Sequence, residues 1–333
     1  NPATGAELAT YPTWSPEQIS IAVDRGHAAA AAWGKQPLEA RIAAARRLAE
    51  ELRKQKTSMG LLITAEMGKP IAEAEGELEK SAVTALYYAD NAHRILGDER
   101  VEIDGVEAWV SYEPIGLILA VMPWNFPVWQ VMRFAIPAVV TGNGILLKHS
   151  PNVTGCALAL QQLFIDAGLP KGLLTTLLVA EAEVPQTIES LIADERIAAV
   201  TLTGSNRAGA AVGAAAGRAS KKSVLELGGS DAFIVLADAD FNAAVENVAN
   251  AAFFSTGQKC TAIRRVLAPT GHVEAVIEAL RERLDKVMIG NPEQDNVRMG
   301  PVVGLDQRRD VLGHVKALRT EAQLVAGDPD NFD

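Results

Sequence analysis

The chain has 333 residues, of which 48% are hydrophobic and 22% charged, as in an ordinary globular protein with room for two domains. Its net charge of −10 argues against nucleic acid or an anionic membrane surface as a partner. Its two cysteines, Cys156 and Cys260, offer no disulfide framework, and we find neither a signal peptide nor an apolar run of membrane-spanning length. We therefore expect a cytoplasmic protein with free thiols.

The first hundred residues are predicted to be mostly helical scaffold. Residues 15–18, Ser-Pro-Glu-Gln, have the form of a capping box and predict a helix that continues to about Trp33. Two further helical stretches are predicted at about 37–54 and 55–95, and Gly-Lys-Pro at 68–70 interrupts the second of them. This part of the sequence contains no chemical motif.

From residue 106 the sequence changes to alternating strands and helices. A β-rich run at 106–112 precedes an almost wholly apolar run at 115–122, which is typical of a strand buried on both faces of a parallel sheet. Further strands are predicted at 144–148, 173–179, 198–203 and 223–227, with helices between them at 153–167, 184–193 and 205–219. The alternation predicts a doubly wound α/β domain, in which ligands bind at the carboxyl ends of the strands.

Three polar groups follow predicted strands. Pro-Trp-Asn-Phe-Pro at 123–127 fixes the backbone around Asn125, whose amide can donate two hydrogen bonds; a rigid turn is the alternative. Lys148 ends the next strand, where it either reaches ribose hydroxyls or a phosphate or is only a solvated end. The turn at 203–209 opens a helix whose N-terminus favours an anion such as pyrophosphate. However, Gly-x-Gly-x-x-Gly is absent, and the small residues of this helix equally allow tight packing on the sheet.

Two further residues carry reactive groups. Glu226 lies in an apolar strand before a Gly-Gly turn, where burial would raise its pKa towards that of a general base; a structural ion pair is the alternative. Cys260 follows the turn-forming Gly257 and precedes a predicted strand at 263–268. Its thiol is therefore either presented as a nucleophile or buried as a small hydrophobic group.

Taken together, the motifs Pro-Trp-Asn-Phe-Pro, Leu-Glu-Leu-Gly-Gly and Gly-Gln-Lys-Cys resemble those of the aldehyde dehydrogenase superfamily, and the resemblance covers the whole chain. It implies a Rossmann-type cofactor domain and an α/β catalytic domain. It also implies that Cys260 is the nucleophile, that Asn125 and the backbone N–H of Cys260 form the oxyanion hole, and that Glu226 activates water. The implied cofactor is NADP or NAD, with no metal. The implied cofactor contacts are Trp124, Lys148, His149, Ser150, Pro151, Gly204, Ser205 and Leu227.

Within the superfamily, two parts of the chain resemble different relatives. Residues 1 to about 245 look most like NAD(P)-dependent succinate-semialdehyde dehydrogenases. From about Gly257 the chain resembles the aldehyde dehydrogenase half of the bifunctional ring-opening enzyme of phenylacetate degradation, which would fit a mosaic. The resemblance implies an NAD(P)-binding domain at 1–227, with an oligomerisation arm at 101–114, and the N-terminal part of a catalytic domain at 228–333. Family members usually continue beyond this point, so the catalytic domain is expected to be truncated, and the full-length protein a homodimer or homotetramer.

The resemblance implies oxidation of an aldehyde, such as succinate semialdehyde, to the acid through a cysteine thiohemiacetal and thioester. A non-catalytic nucleotide-binding fragment and a CoA-acylating dehydrogenase are the alternatives; Glu226 disfavours the second, because transfer to CoA requires no base for hydrolysis. Pro151 stands where the family usually has a glutamate that binds the ribose hydroxyls and repels a 2′-phosphate. We therefore expect NADP to be accepted at least as readily as NAD.

Overall fold

The computed structural model describes residues 1–327, which form two compact units. The sheet unit comprises Ala9–Leu62 and Ala74–Gly228; the cysteine unit comprises Asn1–Leu8, Ile63–Glu73 and the described residues from Gly229 onward. In this part of the chain, no helix is both long and apolar enough to cross a membrane. The functional division after residue 227 stays a prediction, and residues 328–333 lie outside the described residues.

The helices and strands alternate along much of the chain. Within residues 1–327 the helices are α1 Pro16–Gly34, α2 Leu38–Lys54, α3 Lys56–Met67, α4 Ile71–Leu96, α5 Trp129–Val140, α6 Thr154–Asp166, α7 Val184–Ala193, α8 Asn206–Arg218, α9 Phe241–Phe253, α10 Val273–Asp285 and α11 Leu305–Leu318. The strands are β1 Glu99–Ile103, β2 Val106–Val110, β3 Leu117–Met122, β4 Gly144–His149, β5 Leu174–Thr176, β6 Ile197–Thr203, β7 Lys222–Glu226, β8 Asp231–Ile234 and β9 Ile263–Leu267.

The sheet unit is built on a five-stranded parallel sheet with the order β5-β4-β3-β6-β7, which confirms the predicted α/β fold. Within the apolar run at 115–122, the strand itself begins at Leu117 and is buried at every residue except the half-buried Val121, as expected for a central strand, whereas Ile115 before it is exposed. From β3 the chain runs outward through β4 to β5 and then returns to β6 on the other side. The carboxyl ends of β3 and β6 therefore flank the point where the strand order reverses, which is the usual ligand site of such sheets.

The helices confirm the start and the break that the sequence predicts in the first hundred residues. Ser15 caps α1, since its hydroxyl accepts the N–H of Gln18 at 3.3 Å while Gln18 Oε1 accepts the N–H of Ser15 at 2.8 Å. The helical stretch after residue 55 is broken between α3 and α4, at the predicted Gly-Lys-Pro. Helix α5 is not predicted from the sequence, since its residues are mostly apolar and Pro137, an unfavourable residue within a helix, lies inside it.

A hairpin of β1 and β2 leaves large apolar side chains at the surface. The two strands pair antiparallel, with Arg100 opposite Trp109, and only the second of them is predicted from the sequence. Trp109 is 61% exposed, and Ile103 and Val106 are exposed as well. An exposed apolar surface is consistent with an oligomerisation arm at 101–114, which stays a prediction.

The cysteine unit contains β8 and β9, which pair in parallel and confirm the strand predicted after Cys260. Gly68, in the break between α3 and α4, packs closely against Gly300 and Pro301 of the cysteine unit. A Cβ on Gly300 would overlap the backbone carbonyl of Gly68, and a Cβ on Gly68 would meet Pro301 Cγ at 2.7 Å. The N–H of Ile71 also donates to the carbonyl of Pro292 at 2.8 Å.

Candidate active site

The predicted site residues of the sheet unit lie at one edge of the parallel sheet. Trp124 and Asn125 follow β3, Lys148 and His149 end β4, Gly204 and Ser205 follow β6, and Glu226 ends β7. The strand register joins these ends, because Met122 pairs with His149 and Thr203 pairs with Glu226. The parallel topology thus brings together residues that are up to about a hundred positions apart in the sequence.

A buried glutamate of α4 anchors, through hydrogen bonds, the end of the segment that carries Asn125. Glu77 is 4% exposed, and its Oε1 accepts the backbone N–H groups of Val128 and Trp129, each at 2.7 Å. These N–H groups belong to the start of α5, where they have no partner within the helix and where a negative charge is favoured by the helix dipole. This role of Glu77 is not predicted from the sequence. The local sequence places Glu77 beside the apolar Leu78 in a predicted helix, which gives no indication of the partner 51 residues away.

His149 holds the same segment from the side of β4. Its Nδ1 accepts the N–H of Ser150 at 2.9 Å, so Nε2 carries the proton and donates to the carbonyl of Pro127 at 2.8 Å. Burial lowers the pKa of His149 to about 4, which keeps the ring neutral at physiological pH. Both ring nitrogens are engaged inside the protein, so the cofactor contact predicted for His149 is left to its backbone atoms.

Lys148 is buried, so it is not a solvated strand end. Its Nζ donates to the carbonyl of His149 at 2.8 Å. Burial lowers the pKa of Lys148, and the carboxylate of Glu181 acts in the opposite direction. The lysine lines a cavity of about 210 Å³ together with Tyr11, Pro151 and Glu181, so the predicted cofactor residues Lys148 and Pro151 share one opening.

The turn between β6 and α8 is capped by a serine and packs closely against the end of β7. The hydroxyl of Ser205 caps the first turn of α8, and the N–H of Gly204 donates to the carbonyl of Glu226 at 3.0 Å. A Cβ on Gly209 would overlap the side chain of Leu227, so this glycine allows the strand end to approach the helix closely. The packing explanation of the small residues is therefore correct at Gly209.

The predicted burial of Glu226 is wrong. Its side chain is 53% exposed, and the distance from its Oε2 atom to Nη2 of Arg133 is 3.5 Å. The reason is topological, since β7 is the edge strand of the sheet and its residues alternate between half-buried and exposed. Both residues line a cavity of about 350 Å³ that Thr203 also lines. The carboxylate is thus accessible to water, which a base that activates water requires.

These features fit a dinucleotide in two respects. The cavity beside Lys148 offers a buried ammonium group with N–H groups beyond the one that it donates to its neighbour. The N-terminus of α8 offers the backbone N–H groups of a first helical turn, which favour a phosphate. The hydroxyl of Ser150 is directed to Asn152 Oδ1 at 2.9 Å, so it would have to turn to meet a phosphate.

Cys260 lies in the cysteine unit at the end of a left-handed turn. Ser255, Thr256 and Gly257 have φ angles of 55°, 56° and 68°, and we refer to residues 255–260 as the Cys260 turn. The conformation predicted for Gly257 is confirmed, whereas two consecutive non-glycine residues in this region were not expected. The thiol group belongs to a half-buried residue, while Cys156 is fully buried within α6.

The second glycine of the Gly-Gly turn is packed on the backbone of Cys260. A Cβ on Gly229 would lie 2.9 Å from the carbonyl oxygen of Cys260, closer than a side chain can approach. Glycine is therefore required at 229 by contact with the cysteine backbone, and a larger residue there would displace Cys260.

Comparison with known proteins agrees with these assignments of fold. A sequence model of the aldehyde dehydrogenase family matches residues 1–332. The succinate semialdehyde dehydrogenase [NAD(P)+] of Escherichia coli is 42% identical over 328 residues, which are 98% of this chain and 70% of that protein. A probable succinate-semialdehyde dehydrogenase [NADP(+)] of Synechocystis is 39% identical over 316 residues, 95% of this chain and 69% of that protein.

A solved structure gives the same result. The succinic semialdehyde dehydrogenase of Streptococcus pyogenes, crystallised in complex with NADP+, superimposes with a TM-score of 0.93 at 34% identity. The superposition covers 98% of this chain and 71% of that chain. The similarity therefore extends through both units.

Proposed function

Because the chain belongs to the aldehyde dehydrogenase family, we propose that it oxidises a semialdehyde of the succinate semialdehyde class to the carboxylic acid. The observation that carries the proposal is the meeting of Asn125, Lys148, the Gly204 turn and Glu226 at the carboxyl edge of one parallel sheet. The named relatives, which are succinate-semialdehyde dehydrogenases, support the substrate class and NADP or NAD as the cofactor. The likeness of the chain from Gly257 onward to the phenylacetate enzyme stays a prediction.

In the proposed mechanism the chain's own residues supply nucleophile, oxyanion stabilisation and base. The thiolate of Cys260 attacks the aldehyde carbon and forms a thiohemiacetal, whose oxyanion accepts hydrogen bonds from the Asn125 amide and the Cys260 N–H. Lys148 and the N-terminus of α8 would hold NADP or NAD, which would supply the acceptor for the hydride lost from the thiohemiacetal carbon. This leaves a thioester on Cys260. Glu226 then removes a proton from water, the resulting hydroxide attacks the thioester, and the acid leaves as the thiolate is restored.

The division of roles is tested by Glu226→Gln in rapid-mixing measurements of nicotinamide reduction. We expect a burst of reduced cofactor in the variant, followed by turnover slowed by about 10²–10⁴-fold, because only thioester hydrolysis needs the base. Glu189→Gln is the matched control, since Glu189 is an exposed carboxylate of α7 paired with Arg218.

Each alternative gives a different result. If the burst disappears together with turnover, Glu226 is also needed to form the thiolate. If the wild-type chain gives no burst with succinate semialdehyde and either cofactor, the non-catalytic alternative replaces the proposal. If added CoA restores the steady rate of the variant to that of the wild type, the chain is a CoA-acylating dehydrogenase.

A further inference from the structure

The backbone before Cys260 is held in a conformation that needs support. Two consecutive non-glycine residues, Ser255 and Thr256, have left-handed φ and ψ angles, which cost free energy and persist only where the surroundings fix them. Ser255 is 1% exposed, so its backbone N–H cannot bind bulk water and must find a partner in the protein.

The partner is a carboxylate from a distant part of the chain. Oε2 of Glu73, at the start of α4, accepts the N–H of Ser255 at 2.8 Å, across 182 residues of sequence. Neighbouring bonds complete the support, since Thr256 Oγ1 donates to the carbonyl of Gly300 at 3.2 Å and the N–H of Val303 donates to Gln258 Oε1 at 2.9 Å. Among these contacts, only the one from Glu73 involves an ionisable side chain.

We propose that Glu73 is a positioning residue for the nucleophile, because its carboxyl group fixes the strained turn that presents Cys260 and links the order of that turn to pH. The proposal rests on the proposed role of Cys260. It assigns a function to a residue of α4 that lies in a part of the sequence without any chemical motif.

The electrostatic surroundings of Glu73 give the direction of the pH effect. Burial raises its pKa to about 7, against the lowering effects of the Ser255 hydrogen bond and of the cations Lys69, Arg298 and Lys259. Opening the turn would return the carboxyl to water and to its ordinary pKa of 4.5. Ionisation therefore favours the open turn, and from about pH 6 to about pH 8 we expect the open fraction to rise by about tenfold.

The test is hydrogen exchange of the peptide that covers residues 255–260 in the 333-residue chain, corrected for the pH dependence of chemical exchange. In Glu73→Ala the Ser255 N–H loses its acceptor, and we expect exchange to be about tenfold faster than in the wild type. In Glu73→Gln the amide oxygen still accepts the N–H, so protection should return to within about threefold of the wild type. In Glu73→Gln protection should no longer fall between pH 6 and pH 8.

Glu75→Gln is the matched control, because Glu75 lies on the same helix but contacts Thr57 and Lys56 instead of the turn. It should reproduce the wild-type exchange and its pH dependence. Equal exchange in wild type and Glu73→Ala, or the same pH dependence in wild type and Glu73→Gln, would overturn the proposal. A separate measurement tests the proposed function, namely the rates at which iodoacetamide alkylates Cys260 and Cys156 in the wild type. If Cys260 reacts no faster than Cys156, the proposed role of Cys260 fails, whatever the exchange experiment shows.

Discussion

Replacing Glu77 by alanine should destabilise the sheet unit more than any exposed charge change on α4. The substitution leaves the N–H groups of Val128 and Trp129 without their shared acceptor. Val128 is fully buried, and an unsatisfied buried donor costs about 1–3 kcal/mol, so we expect a loss of about that size from the Val128 N–H. Trp129 is half-buried, so the loss of its bond adds less. Glu77→Gln keeps one oxygen that can accept both bonds and should lose only the added strength of a charged acceptor, about 1 kcal/mol.

Urea denaturation followed by far-ultraviolet circular dichroism measures these differences, with thermal midpoints as a second reading. Glu79→Ala is the control on the same helix, because Glu79 forms an exposed ion pair with Arg53, and such pairs contribute little. A midpoint of Glu77→Ala equal to that of Glu79→Ala would refute the claim that Glu77 anchors the start of α5. Nicotinamide reduction by Glu77→Gln should remain close to the wild type, since the Asn125 segment stays anchored.

Three further outcomes are expected. Limiting iodoacetamide followed by peptide mapping should label the half-buried Cys260 before the fully buried Cys156; labelling in the reverse order would contradict the role of Cys260 as nucleophile. Pro151→Glu should weaken NADP binding at least about tenfold more than NAD binding in fluorescence titrations, because a carboxylate repels the 2′-phosphate; equal losses would place residue 151 away from the ribose. Because burial raises the pKa of Glu73 from 4.5 to about 7, its stabilising contribution is present below about pH 4.5 and is lost as the pH rises through 7. Between pH 4.5 and pH 8 the unfolding free energy of the wild type should therefore fall by about 3 kcal/mol relative to that of Glu73→Gln. A difference between the two proteins that stays constant with pH would show that Glu73 is not desolvated.

The sequence predicted the sheet well because its signals are local. The apolar run of β3 and the Ser15 capping box lie within a few residues, and the parallel topology then places the strand ends together. The burial of Glu226 was predicted wrongly because an apolar strand does not reveal whether it will occupy the edge of its sheet. Glu73 and Glu77 were missed because their partners lie 182 and 51 residues away, and no local pattern specifies such contacts.

The cysteine unit is assembled from separate stretches of chain, which has a consequence for its formation during synthesis. Residues 63–73 belong to one unit with the chain from Gly229 onward, and Glu73 precedes its partner Ser255 by 182 residues. These residues therefore emerge from the ribosome long before the rest of their unit. At a synthesis rate of about 5–20 residues per second, this interval is roughly 10–40 s. During this time the side chains of Ile63 and Met67, which are buried in the folded protein, lack the part of their unit that is synthesised last. The sheet unit has all its strands by residue 226 and can fold first. We therefore expect the nascent chain to expose Ile63, Met67 and Ile71 to chaperones and to complete the cysteine unit last.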